Sequence, residues 1–336
     1  MKSPSRFLIA FLCLFAPAFV FAAGEAKPFL GSWALNIPGG GAGWLGVEEK
    51  DGGPQVGLLW VGGSVEPAKN VSIEDDTLKF VVEAHWTGKD ASGKEQPMGY
   101  TRTIIAKRSG DSLSLTSFFV GINEPSGKVE TLQGTLLPPP PPAPDLSKVR
   151  YGAPVELFNG RDLSGWELTN PGDANGWSAE NGLLINRPVQ EEGKPHRQYG
   201  NLRTVAEFED FNLKLETRPT AGSNSGVYLR GIYEVQVLDS YGLPVDSHNM
   251  GAIYSRLCPS VAAEKPTGEW ETLDITLVDR HATVVLNGIT IIDNQPLLGC
   301  TGGALWSDVF RPGPIYLQGD HSQIDYRNIV LRPVLK

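Results

Sequence analysis

The chain has 336 residues, 40% of them hydrophobic and 20% charged, and a net charge of −9 at pH 7. That is long enough for two ordinary domains and too apolar for a disordered chain. The acidic balance makes nucleic acid and anionic membrane surfaces poor partners, while neutral ligands such as sugars stay open.

The chain begins with Lys2 and Arg6 ahead of the apolar run FLIAFLCLFAPAFVFA, followed by the small residues Ala22 and Ala23. Residues 1–22 are therefore expected to be a cleaved export signal, leaving a periplasmic or secreted protein with no membrane segment. Pro17 interrupts the run and no basic stop-transfer cluster follows, which argues against an anchor. Cys258 and Cys300 then remain, either as one disulfide or as two buried thiols.

Residues 27–137 read as short strands (GSWALNI, PQVGLLWV, TLKFVVEAHW, GYTRTIIAKR, DSLSLTSFFV) parted by Gly, Pro, Asn and Asp clusters. This spacing predicts an antiparallel barrel or sandwich. The unit shows no catalytic constellation. His85 stands alone, and Trp33, Trp44, Trp60 and Trp86 are read as core packing before a sugar-stacking platform. Residues 138–149 open with five prolines and are expected to be a stiff linker holding the two units apart.

From residue 150 to 336 the pattern is again all-β. ETLDITLVD places Leu273, Ile275 and Leu277 on one face, and Asn287–Gly288 between β-branched runs signals a two-residue hairpin. The most informative stretch is SNSGVYLRGIYEVQVLD, Ser223–Asp239. Its even positions carry Asn224, Tyr228, Arg230, Glu234 and Gln236, and its odd positions carry Val227, Leu229, Tyr233, Val235 and Val237. Residues two apart share a strand face, so one face suits a core and the other suits a ligand. An ion pair between Arg230 and Glu234 across the turn is the alternative for those two.

The series VELFNGRDLSGW (Val155–Trp166), SNSGVYLRG, YEVQVLD, GAIY (Gly251–Tyr254), GEW (Gly268–Trp270) and GPIYLQGDHSQIDYRNI, in that order, resembles the 3-keto-disaccharide hydrolase domain family. The resemblance covers nearly all of residues 150–336 and none of the first unit. It implies a concanavalin A-like lectin/glucanase β-sandwich, a carbohydrate substrate, and activity on glycosides oxidised to a ketone at C3.

A C3 ketone acidifies the C2 proton, so a base can remove it and expel the C1 substituent, after which water adds back. Such a site needs a base, an acid for the leaving oxygen and donors for the developing enolate. Glu234 is the expected base, Arg230 the oxyanion partner, and His321 the second acid/base. Asn224, Tyr228, Gln236, Tyr254 and Gln318 are the expected substrate-binding residues. His196 and His248 are read as surface groups. Ordinary glycoside hydrolysis needs two carboxylates ~5–10 Å apart, for which Asp320 could partner Glu234, whereas Asp239 is opposite in strand parity and reads as a strand-end residue. A non-catalytic sugar-binding protein on the same sandwich is the competing function. Sandwiches of this kind often hold calcium, but no DxDxDG loop is present; neither metal nor cofactor is expected.

Overall fold

The computed structural model describes residues 27–89, 94–191, 194 and 196–336. The expected export signal, residues 1–22, lies outside the described residues. Among those, regular structure is β throughout, apart from one 3-10 turn at Leu146–Lys148.

The first unit has nine strands: β1 (Gly31–Asn36), β2 (Ala42–Lys50), β3 (Gly53–Trp60), β4 (Gly62–Pro67), β5 (Lys69–Glu74), β6 (Thr77–Lys89), β7 (Glu95–Ser109), β8 (Ser112–Gly121) and β9 (Glu124–Leu137). They form one antiparallel sheet in the order β4-β3-β2-β1-β9-β8-β7-β6-β5. Only Ala68 separates β4 from β5. The segment from Gly62 to Glu74 therefore pairs with β3 by its first half and with β6 by its second, which closes the sheet into a near-barrel at a corner. Its interior is filled by Trp33, Leu35, Leu45, Leu58, Phe80, Ile104 and their neighbours, which are buried. Burying each such side chain stabilises by about 1.5–3 kcal/mol.

The second unit is a sandwich of two antiparallel sheets. Its strands are β10 (Val155–Glu156), β11 (Trp166–Leu168), β12 (Trp177–Glu180), β13 (Leu183–Asn186), β14 (Leu202–Thr204), β15 (Phe211–Pro219), β16 (Asn224–Leu229), β17 (Tyr233–Leu238), β18 (Glu271–Val278), β19 (His281–Leu286), β20 (Ile289–Pro296), β21 (Tyr316–Leu317) and β22 (Ile324–Pro333). The larger sheet runs β12-β13-β22-β15-β18-β19-β20, with β10 also on β22, and the smaller runs β11-β14-β21-β16-β17. Alternation sets the inward faces. Leu213 and Leu215 of β15 and Leu273, Ile275 and Leu277 of β18 are buried from the larger sheet. Val227, Leu229, Tyr233, Val235 and Val237 meet them from the smaller sheet, in the same core. Asn287 (φ 52°) and Gly288 (φ 81°) make the left-handed turn that joins β19 to β20.

The polyproline linker does not hold the units apart. Arg280 donates to the carbonyls of Pro138 (3.1 Å) and Pro139 (2.7 Å), tying the linker down. Proline lacks an N–H, but its carbonyl still accepts, and a buried guanidinium takes both. Trp44 crosses from the near-barrel and donates to Leu298 O at 3.1 Å. Its ring carries the Arg256 guanidinium at 4.0 Å. The space a Cβ on Gly299 would need is taken by the same ring, at 2.1 Å. The core of the sandwich thus extends into Ala34, Ala42, Trp44 and Leu59. The possible disulfide is absent too: Cys258 is free and exposed, while Cys300 is free and buried. Burial raises the Cys300 thiol to about 11.

Candidate active site

The β16–β17 hairpin is buried on both faces. Its odd positions point into the sandwich core, and its even positions floor a cavity of about 440 Å³. Register pairs Tyr228 with Glu234 and Gly226 with Gln236. Asn224, Tyr228, Glu234 and Gln236 line the cavity from the hairpin, Gln318 and His321 line it from the segment after β21, and Tyr254 completes that wall.

Glu234 is 3% exposed. Burial pushes its carboxyl up to about 8, and the neighbouring Tyr228 hydroxyl pulls the other way more weakly. Its backbone N–H is held by Thr301 Oγ1 at 2.9 Å. The carboxyl folds over Gly226, where a Cβ would stand 2.2 Å from Oε1, so only glycine leaves the group its place. Tyr228 stacks on Tyr316 of β21, with centroids 3.9 Å apart and planes 8° from parallel. The two hydroxyls donate to Gly302 O (2.7 Å) and Gly303 O (2.8 Å). Burial raises both phenols well above their ordinary range. They are fixed neutral donors, not acids.

The amides have capacity to spare. Gln236 Nε2 donates to Asn224 Oδ1 at 3.1 Å, whereas Gln236 Oε1 and Gln318 Oε1 are buried without a partner. An unpartnered buried acceptor costs free energy, which a ligand hydroxyl would recover. Asn224 is pinned through its backbone, its N–H donating to Ser322 Oγ at 2.6 Å and its carbonyl accepting from Ser322 at 2.9 Å. His321 lines the cavity and is exposed to solvent.

Arg230 is a correction. It is 2% exposed and does not line the cavity. Its guanidinium donates to Val309 O (2.9 Å) and Arg311 O (2.5 and 3.1 Å), and no ion pair joins it to Glu234. The cause is the turn. Arg230 has φ 55°, in the left-handed region, so strand parity ends one residue before it. Asp239 and Asp320 also lie outside the cavity lining. Asp239 caps Gly222 N–H and Thr267 Oγ1, and Asp320 accepts from Tyr199 N–H (2.6 Å) and meets His196 Nε2 (2.9 Å). Trp270 sits beneath Arg218 and Arg327, not against the cavity. Among the described lining residues, Glu234 is the only carboxylate.

Four lining residues were not anticipated: Gly62 and Gly63 from the start of β4 in the near-barrel, and Gly302 and Gly303 from the sandwich. The sequence signal is a pair of Gly–Gly doublets, VGGS and TGGA, marking a close approach of two backbones. A Cβ on Gly302 would stand 2.1 Å from Gly63 O. His248, read as a surface group, bridges the units. Its Nδ1 meets Asp246 Oδ1 at 2.6 Å, its Nε2 meets Ser64 Oγ at 2.8 Å, and its ring packs edge-on against Tyr254.

Residues 153–332 match the family model of the 3-keto-alpha-glucoside-1,2-lyase-like domain. Comparison with curated proteins gives no match. Among solved structures, a candidate glycosyl hydrolase from Parabacteroides distasonis is 30% identical, with a TM-score of 0.43, over 57% of this chain and 93% of that one. A second from the same organism is 26% identical, with a TM-score of 0.41, over 54% of this chain and 100% of its own. Domain 4 of a Geobacillus stearothermophilus arabinanase, in complex with arabinotriose, is 12% identical, with a TM-score of 0.34, over 56% and 95%. These superpositions are loose, and the family assignment rests on the matched residues.

Proposed function

Because the chain belongs to the 3-keto-alpha-glucoside-1,2-lyase-like domain family, we propose that it is a carbohydrate-active hydrolase that cleaves 3-keto-glycosides by elimination and hydration. The observation that carries this reading is the single carboxylate among the described lining residues, buried and raised to about 8. A two-carboxylate glycosidase needs a second acid across the bond. An elimination at a ketone-activated carbon needs one base whose pKa lies near the working pH.

In the proposed sequence, ionised Glu234 takes the C2 proton of the keto-sugar. The electron pair moves into the enolate, then expels the C1 oxygen, which leaves with a proton from His321. The product of this half is an unsaturated ketone. Water adds at C1 as hydroxide, its proton passing to His321 to replace the one given to the leaving oxygen, and Glu234 returns its proton to C2, so the net change is hydrolysis. The Gln236 and Gln318 carbonyl oxygens accept from sugar hydroxyls, and Tyr254 contributes its ring to the wall. Residues 1–22 would direct the chain out of the cytoplasm, where extracellular glycosides are met.

The test is incubation with a 3-keto-glucoside and with its unoxidised parent, repeated with Glu234→Gln and His321→Ala. Turnover of the keto-substrate alone, lost in Glu234→Gln, is the expected result. Cleavage of the unoxidised parent alone would overturn the elimination. Binding of both without turnover would make the protein a sugar-binding module.

A further inference from the structure

The family match begins at residue 153, yet two backbone positions of the cavity come from the near-barrel, ninety residues earlier. The start of β4, which supplies them, is held firmly. Gly303 N–H donates to Val61 O at 2.8 Å, and Val65 N–H donates to Ser255 Oγ at 2.9 Å. Ser64 Oγ is bonded to His248 Nε2, whose other nitrogen is fixed by Asp246. This hydroxyl–imidazole–carboxylate chain has the bond order of a nucleophilic triad. The amide following Ser64 is already committed to Ser255, however, and cannot serve an oxyanion. The chain is a bolt between the units.

We propose that the start of β4 is a substrate-binding wall, and that it makes the site a pocket for the end of a saccharide rather than a groove along a chain. The proposal rests on the reading of the protein as a carbohydrate-active hydrolase. Behind the hairpin floor, Gly62–Gly63 stands against Gly302–Gly303 with backbone touching backbone. The side they close is main chain, which a side-chain rotation cannot open. The volume left, about 440 Å³, lies toward the small end of the ~300–1,000 Å³ usual for small-ligand pockets. It suits one sugar ring with its neighbour at the exposed His321. The glycines give a flat polar wall: Gly62 and Gly63 would each have open space where a Cβ would go, so a sugar face can approach the peptide planes directly.

Gly62 offers the sharpest test. Its backbone is outside the left-handed region, and a Cβ there meets nothing within 4 Å. Gly62→Leu therefore starts its side chain in open space. The full chain and this variant are compared with Ser64→Ala and the conservative Ser64→Thr. Readouts are melting temperature, KM and kcat on a 3-keto-disaccharide, products from a longer oligosaccharide carrying the keto group at its end, and sugar binding by saturation-transfer NMR. Expected are an unchanged melting temperature and KM raised about tenfold or more in Gly62→Leu, with kcat little altered and release confined to the terminal residue. Ser64→Ala should raise KM less, and Ser64→Thr should restore it. Wild-type KM and binding in Gly62→Leu, or release of internal fragments, would overturn the wall whether or not the chemistry is right. If the wild type binds sugar without turnover and Gly62→Leu loses that binding, the wall stands and the hydrolase reading falls. If the wild type shows neither binding nor turnover, both fall.

Discussion

A Cβ placed on Gly226 would lie 2.2 Å from the carboxyl oxygen of Glu234, its diagonal neighbour across the β16–β17 hairpin. Glycine at 226 is thus a condition for where the carboxyl sits. Gly226→Ala leaves the strand able to form, because what must move is the end of a side chain. Enzyme kinetics should show kcat/KM down about 100-fold, as expected for a reacting group displaced by about 1 Å. The melting temperature should stay within a few degrees of wild type. Full activity in Gly226→Ala would show that the carboxyl position does not matter to turnover.

The raised carboxyl of Glu234 fixes a pH dependence. A base that must be ionised gains occupancy as pH rises through about 8. The profile of kcat/KM should climb from pH 6 to 8 and level off above. Were Glu234 the acid for the leaving oxygen, the same titration would make activity fall above pH 8. Steady-state rates in constant-ionic-strength buffers separate the two.

The same titration affects stability. The unfolded chain releases this proton near 4.5 and the folded one near 8. The stability associated with the neutral carboxyl is complete below about 4.5 and lost as pH rises through 8. Each pH unit of that window is about 1.4 kcal/mol. Glu234→Gln, which cannot ionise, should match wild type at pH 4 and exceed it by several kcal/mol at pH 9. Urea unfolding at the two pH values measures this. Equal stability at pH 9 would mean that the carboxylate is not desolvated.

Arg230 should behave as a structural residue. Arg230→Met leaves the Val309 and Arg311 carbonyls without their donor, costing about 3 kcal/mol or more. Denaturation should reveal that loss, while kcat of the folded fraction changes less than threefold (~0.7 kcal/mol). A large loss of kcat in fully folded protein would return Arg230 to the chemistry.

The alternation of Ser223–Asp239 was sufficient to find Asn224, Tyr228, Glu234 and Gln236, because strand parity is a local property and β16 and β17 keep it. It misplaced Arg230 because alternation stops at a left-handed residue, and the sequence does not display φ directly. The motif around Gln318–His321 located the opposite wall. Gly62 and Gly63 were out of reach for another reason: they come to the cavity only through docking of the two units, fixed by contacts such as Trp44 on Gly299 and Ser64 on His248. Five consecutive prolines read as a spacer because their missing N–H groups are visible in sequence. The guanidinium that grips two of their carbonyls lies 141 residues from the nearer one.

Val65 N–H, given to Ser255, has a second consequence. β4 ends the order of strands in the near-barrel, so its outward amides form a ready template for a foreign strand. Docking against the sandwich shields that template. Severing the chain in the proline segment would therefore free an adhesive border on one half and uncover the Trp44 seat on the other. The halves should self-associate when made separately and recombine when made together, as parts of one protein whose solubility depends on their staying joined.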